Sequence, residues 1–385
     1  MPANRTQLFW GACAAMFVFG IVLAILGTIF GLPEMRERLH VDLVQQGDVL
    51  LALFLGVFVS TLIVGPVIDS FGNKVVLTAS AMLVTLALVL LSAADSFPAA
   101  AVAGFLLGFG GGGLNTAANA LIADLYRDDR GAMLNVIGMF FGFGGLFVPL
   151  LAASVAGAFT IPQLLIGTAA LAAGCAAAYL ILRFPAPAEG AGFSILASLK
   201  AARNPGVLLL AALLFLQSGS ESSIGGWTST YVGAMGSPPR TATTILAGYW
   251  AALMIGRLAA ARALRTMSKA RLILLSGIGS AAGCALLLAS PSVAVMFAGT
   301  AIIGVSHAAI YPTTLAIAAD RYQRLAGTIF GFLFATGLIG GMLFPWGIGH
   351  ISQTFGLRTA MLLPLLGGAL IAGVAAVIGK NGDRW

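Results

Sequence analysis

Apolar residues in this chain do not alternate with polar ones at the period of a strand. They run in blocks separated by short polar loops, from Leu8 to the last turn before Lys380. A helix needs roughly 20 apolar residues to cross the hydrocarbon core of a bilayer. A membrane β-barrel would instead alternate in segments of about ten. The blocks predict twelve helical spans, at 8–32, 46–67, 74–94, 97–123, 132–157, 161–183, 205–234, 241–263, 271–290, 293–318, 325–350 and 356–379. The first block is longer than the apolar region of a signal peptide and reads as a span. The fold class expected is an all-α membrane protein of two pseudo-symmetric six-helix bundles.

The longest polar connection lies between the sixth and seventh spans. It divides the chain into an N-terminal bundle (1–184), a linker (185–204) and a C-terminal bundle (205–385). Within the linker, residues 193–203 carry the pattern of a short amphipathic helix on the membrane surface. The two halves repeat. An ungapped shift of 196 places Ala123, Asp124, Tyr126, Gly131, Gly144, Gly145 and Pro149 on Ala319, Asp320, Tyr322, Gly327, Gly340, Gly341 and Pro345. Parallel repeats of six spans predict a substrate site where the halves meet, near mid-membrane.

Polar residues inside the spans carry the candidate chemistry. The seventh span holds QSGSESSIGGWTSTY from Gln217 to Tyr231, with Glu221 as the only acid midway along an apolar block. An ionised acid at a helix centre costs roughly 2.5–3.5 kcal/mol on insertion scales, so it is expected to face protein or water and to carry function. At 100° per residue Gln217, Ser220, Glu221, Ile224, Trp227, Thr228 and Tyr231 share one face. The serines and glycines around them are poor helix formers, which predicts a span loosened at its middle. In the fourth span Asn115 and Asn119 lie one turn apart behind Gly110–Gly113. Two amides there can both donate and accept, as sugar hydroxyls require, or they can bond helix to helix. In the tenth span His307, Tyr311 and Thr314 share a face, with Pro312 expected to kink the helix. His307 is a titratable candidate to couple with Glu221, and Tyr311 is the repeat equivalent of Asn115. Trp227 and Tyr231 read either as rings that stack on a sugar or as interface anchors. Asn135, Thr336, Tyr249 and Trp250 are weaker candidates.

Composition agrees: 59% of the 385 residues are hydrophobic and 9% are charged, where a soluble protein carries about 25% charged. The net charge of +7 suggests nucleic acid until its distribution is considered. With the N-terminus inside, sixteen of the twenty Lys and Arg fall in cytoplasmic loops, leaving Arg36, Arg38, Arg240 and Arg358 outside. The positive-inside rule therefore places both termini in the cytoplasm and reads the basic charge as topology. The three cysteines sit in apolar spans with no metal or redox spacing. No nucleophile–base pattern and no phosphate-loop motif appears, so neither an enzyme, a cofactor, a metal nor a nucleic-acid partner is expected. The partners expected are a small solute and the lipid bilayer, around a monomer in a bacterial inner (plasma) membrane.

The loop GPVIDSFGNK from Gly65 to Lys74, the twelve spans and the central linker resemble the major facilitator superfamily over essentially the whole chain. Within it, GGGGLNTAAN (Gly110–Asn119) and SESSIGGWTSTY (Ser220–Tyr231) resemble the fucose–galactose–glucose:proton symporter group. The resemblance implies alternating access, a monosaccharide cargo and coupling to a proton, or to sodium as in some animal relatives. The chain departs from that group. Its first span has no acid, Asn115 stands at the fourth-span acid position, and Ser70 follows Asp69 where a basic residue is usual. Glu221 is thus the mid-membrane carboxyl left for coupling. Gly65, Asp69, Gly72 and Lys74, with Arg257 and its neighbouring basic residues, Asp124 and Asp320, are candidates for charge pairs that gate the two halves. In that set Gly65 is expected to allow close helix approach and Lys74 to lie in the cytosol. Two alternatives stay open: an exporter of drug-like or amphiphilic molecules, and a membrane sensor that binds without transport.

Overall fold

The computed structural model describes residues 4–155, 158–185, 204–289, 291–322 and 326–381. The surface helix expected at 193–203 lies outside the described residues. Among the described residues the architecture is all-α, and eleven helices are long and apolar enough to cross a membrane. In chain order they are α1 (Arg5–Ile29), the short α2 (Pro33–Leu39), α3 (Leu43–Ala93), α4 (Phe97–Leu125), α5 (Arg130–Val155) and α6 (Ile161–Ile181). Then come α7 (Pro205–Ala234), α8 (Pro239–Ala263), α9 (Lys269–Ala289), α10 (Val293–Arg321), α11 (Ala326–Phe355), the one-turn α12 (Leu357–Ala360) and α13 (Leu362–Asn381).

Local chemistry sets several starts. Asn4 accepts from the Thr6 and Gln7 N–H groups at the head of α1, and Asn204 accepts from Gly206 and Val207 at the head of α7. Asp42 with Gln45 and Thr160 with Gln163 form reciprocal capping boxes at α3 and α6. The 51 residues of α3 comprise the second and third spans. Gly72, with φ 80° and ψ 164°, breaks helical geometry between two arms that each rise about 30 Å or more. A side chain at that φ would be strained, so the turn depends on glycine.

The chain divides into two compact units, 1–192 and 193–385. In the first, α1 packs on α4 and α5, and α3 packs on α4 and α6. In the second, α7 packs on α8, α10, α11 and α13, while α10 contacts α8 and α9, and α9 contacts α13. The repeat seen in sequence is a repeat of structure in the same register. Phe97 and Val293 open the two fourth helices, and Arg130 and Ala326 open the fifth. Tyr126 and Tyr322 end α4 and α10 with matching backbones, φ −125° ψ 56° and φ −122° ψ 40°. Each tyrosine then reaches the first helix of its own unit. The Arg5 guanidinium lies 3.9 Å from the centre of the Tyr126 ring, and the Tyr322 hydroxyl donates to Asn204 Oδ1 at 3.2 Å.

Close helix crossings also repeat. A Cβ on Gly144 would collide with the Phe17 carbonyl of α1, and one on Gly340 with the Phe215 carbonyl of α7. Small residues let membrane helices approach to backbone contact, where dispersion and weak polar contacts replace the missing hydrophobic drive.

Gly65 differs from expectation within its own unit: among the described residues of the first unit nothing lies within 4 Å of a Cβ built there. Nor is the seventh span broken at its centre. α7 is continuous from Pro205 to Ala234. Packing overrides propensity, because Gly219 lies under the Phe344 ring and Gln217, Ser220, Ser223 and Trp227 are buried. Pro312 is likewise contained within an unbroken α10.

Candidate substrate and coupling site

In the second unit, a layer of polar side chains joins the middles of four helices. Glu221 lies near the centre of α7 and is partly buried. One turn earlier, Gln217 is fully buried and gives its amide nitrogen to two acceptors: Glu221 Oε2 at 3.0 Å and the main-chain carbonyl of His307 at 3.2 Å. His307, in mid-α10, is held on both ring nitrogens. Nδ1 is 3.0 Å from the Tyr249 hydroxyl of α8, and Nε2 is 2.9 Å from Ser280 Oγ of α9. Either tautomer satisfies this arrangement, because each hydroxyl can donate or accept. The backbone allows it: Gly304, one turn before His307, packs on the Tyr249 carbonyl. The charge of Arg257, in the second half of α8, acts on both Glu221 and Tyr249, and Glu221 in turn acts on Tyr311.

This arrangement assigns different places to the expected residues. Glu221, Gln217 and His307 come together, with Tyr311 at their edge. The Tyr311 ring stacks on Phe334 at 6.2 Å between centres and an 11° interplanar angle, and its hydroxyl makes no protein bond among the described residues. His307 is a cross-brace with no ring nitrogen left for a ligand. Trp227 is buried, and its indole N–H donates to the Pro345 carbonyl of α11 at 3.0 Å, so it joins helix to helix. Tyr231 is buried four residues further along α7. In the first unit Asn119 folds back on Asn115, donating to its carbonyl at 2.8 Å and its Oδ1 at 3.0 Å, and lies 3.8 Å from Met16 Sδ. Both asparagines are partly buried, and the Asn115 amide N–H groups make no protein bond among the described residues.

The charged loop residues also take definite positions. Lys74 has a definite partner: its Nζ donates to the Leu180 carbonyl at 2.7 Å, closing the end of α6. A cation there complements the negative end of the helix. Asp320 pairs with Lys269, which joins the end of α10 to the start of α9 inside the second unit. That pair braces one unit and does not link two. Asp69 and Asp124 are exposed. Sequence pattern does not assign two residues, Ser280 and Arg257, to the polar layer. Ser280 has no sequence signal, being one small residue in an apolar span. Arg257 has one, since an arginine more than a turn inside a span needs a partner.

Helices of spanning length, duplicated in register, with a buried polar layer at mid-span, define a multi-pass membrane transporter. The model of the Major Facilitator Superfamily matches residues 12–345, and the chain belongs to that superfamily. It is 26% identical over 385 residues to the transporter y4wD of Sinorhizobium fredii (strain NBRC 101917 / NGR234), covering 96% of this chain and 98% of that protein. It is 22% identical over 370 residues to protein TsgA of Shigella dysenteriae serotype 1 (strain Sd197), covering 94% and 91%. Among solved structures, the nucleoside transporter NupG superposes with a TM-score of 0.82 at 14% identity, covering 97% of this chain and 99% of that one. A D-xylose-proton symporter superposes at 0.80 with 12% identity, covering 96% and 97%. Likeness at that identity establishes the shared fold.

Proposed function

We propose that this transporter moves a small polar solute, a monosaccharide, by alternating access with proton coupling. The observation that carries this reading is the carboxyl of Glu221 in the middle of α7, oriented by Gln217 and within electrostatic reach of Arg257. Acids inside membrane spans are rare and costly, and they cluster on ion and substrate pathways. Tyr311 and the Asn115 amide add hydroxyl and amide groups suited to sugar hydroxyls. The stretches Gly110–Asn119 and Ser220–Tyr231, similar to those of the fucose–galactose–glucose:proton symporter group, support the cargo class. One neighbour in fold is a D-xylose-proton symporter; the same chemistry is proposed here because of Glu221 rather than because of the fold. The chain is proposed to work as a monomer in a bacterial inner membrane, with both termini in the cytoplasm.

The test is uptake of a panel of radiolabelled monosaccharides into proteoliposomes under an imposed proton or sodium gradient. Uptake driven by an inward proton gradient in the parent, and lost in Glu221→Gln, is expected. Sodium-driven uptake would replace the coupling ion. No sugar uptake, together with extrusion of lipophilic dyes from expressing cells, would replace the reading with an exporter.

A further inference from the structure

Resting on the coupling role of Glu221, we propose that Gln217 is the positioning residue that decides which oxygen of Glu221 exchanges the proton. Gln217 Nε2 faces two acceptors at once, Glu221 Oε2 and the His307 carbonyl. A main-chain carbonyl only accepts, so it holds the amide in the orientation that presents N–H. Turning the amide over would set Gln217 Oε1 against the His307 oxygen. The carbonyl is itself fixed, because His307 lies within the continuous helix α10. Glu221 Oε2 therefore always meets a donor, whatever the state of the carboxyl. A proton on Oε2 would face the amide N–H and find no acceptor there, whereas Oε2 as a carbonyl oxygen keeps its bond. The proton consequently enters and leaves at Oε1, which makes no protein hydrogen bond among the described residues.

The charged and titratable groups around the carboxyl are consistent with this. Arg257 and Tyr249 of α8 and Tyr311 of α10 lie within electrostatic range of it. From α11 and α13, which also pack on α7, no titratable group acts on Glu221 among the described residues. Gln217 Oε1 is buried and has no protein partner among the described residues.

Infrared difference spectroscopy of the purified full chain, recorded across a pH titration, reads the carboxyl directly. Glu221→Gln should remove one protonated-carboxyl C=O band. In the parent, that band should lie where a singly hydrogen-bonded carboxyl absorbs, below the wavenumber of an unbonded one. Gln217→Met, close in shape but lacking the N–H, should keep the band and move it to higher wavenumber. Gln217→Asn, too short to bridge both acceptors, should move it likewise. If Glu221→Gln removes no band, the carboxyl does not exchange a proton, and the coupling reading falls together with the role of Gln217. A band already at the unbonded wavenumber in the parent, or one unmoved in both Gln217 variants, overturns the positioning role and leaves the coupling reading standing. The parent spectrum serves even if the Gln217 variants fail to fold.

Discussion

Single side chains in this protein separate into those committed to the scaffold and those with chemistry left over. Trp227 is committed: it is buried and its N–H is spent on the Pro345 carbonyl. Trp227→Phe should lower the thermal stability of the purified protein by about 0.5–1.5 kcal/mol, the net worth of the lost hydrogen bond, because the Pro345 carbonyl keeps its helical bond within α11. Bound sugar, measured by isothermal titration, should be affected far less. Unchanged stability with lost affinity would return Trp227 to the ligand. His307 is committed in the same sense, whereas Glu221, Tyr311 and the Asn115 amide retain free capacity. The polar face of α7 could be read from its spacing, because 100° per residue is a property of any helix. That Gln217 turns toward His307 could not be read, since it depends on where α10 places a carbonyl.

At the scale of elements, helix crossings and helix ends do the organising. Gly144 and Gly340 sit at equivalent crossings, α5 on α1 and α11 on α7, where a Cβ would strike a carbonyl. Gly144→Leu and Gly340→Leu should each destabilise their unit by roughly 1–3 kcal/mol or more, as overpacking does. The check is thermal unfolding in detergent, and Gly65→Leu, at a site with open space, serves as the neutral control. Three cations close helix ends: Lys74 at α6, Arg38 at the Ser92 carbonyl of α3 and Arg358 at the Leu288 carbonyl of α9, the last two at 2.7 Å. Arg38 and Arg358 are two of the four basic residues that the charge rule assigns to the outer side, and capping gives each a role apart from topology. Arg358→Met should cost about 0.3–1 kcal/mol, measurable as a small fall in melting temperature without any change in topology. The loosened α7 expected from its serines and glycines is instead a continuous helix. Propensity is a weak prior when neighbouring helices bury both faces.

The whole molecule is a duplicated design with unequal chemistry. Its units share helix register, the tyrosine at the end of the fourth helix and the glycine crossings, yet the mid-span carboxyl lies in the second unit alone. The asymmetry of Lys and Arg predicts the orientation. Reporter fusions at both termini should be active only in the cytoplasm, and an outward-facing reporter at either end would overturn the charge count.

The twelve spans, the duplication and the place of Glu221 were settled by sequence, because bilayer thickness and helical pitch are fixed lengths against which any apolar run can be measured. Only the tertiary structure decided which polar groups are spent. Packing across α7, α8, α9 and α10 chose His307 as a brace, Gln217 as the holder of Glu221 and Arg257 as its charged neighbour. Such choices depend on contacts between residues far apart in the chain, for which local pattern carries no signal.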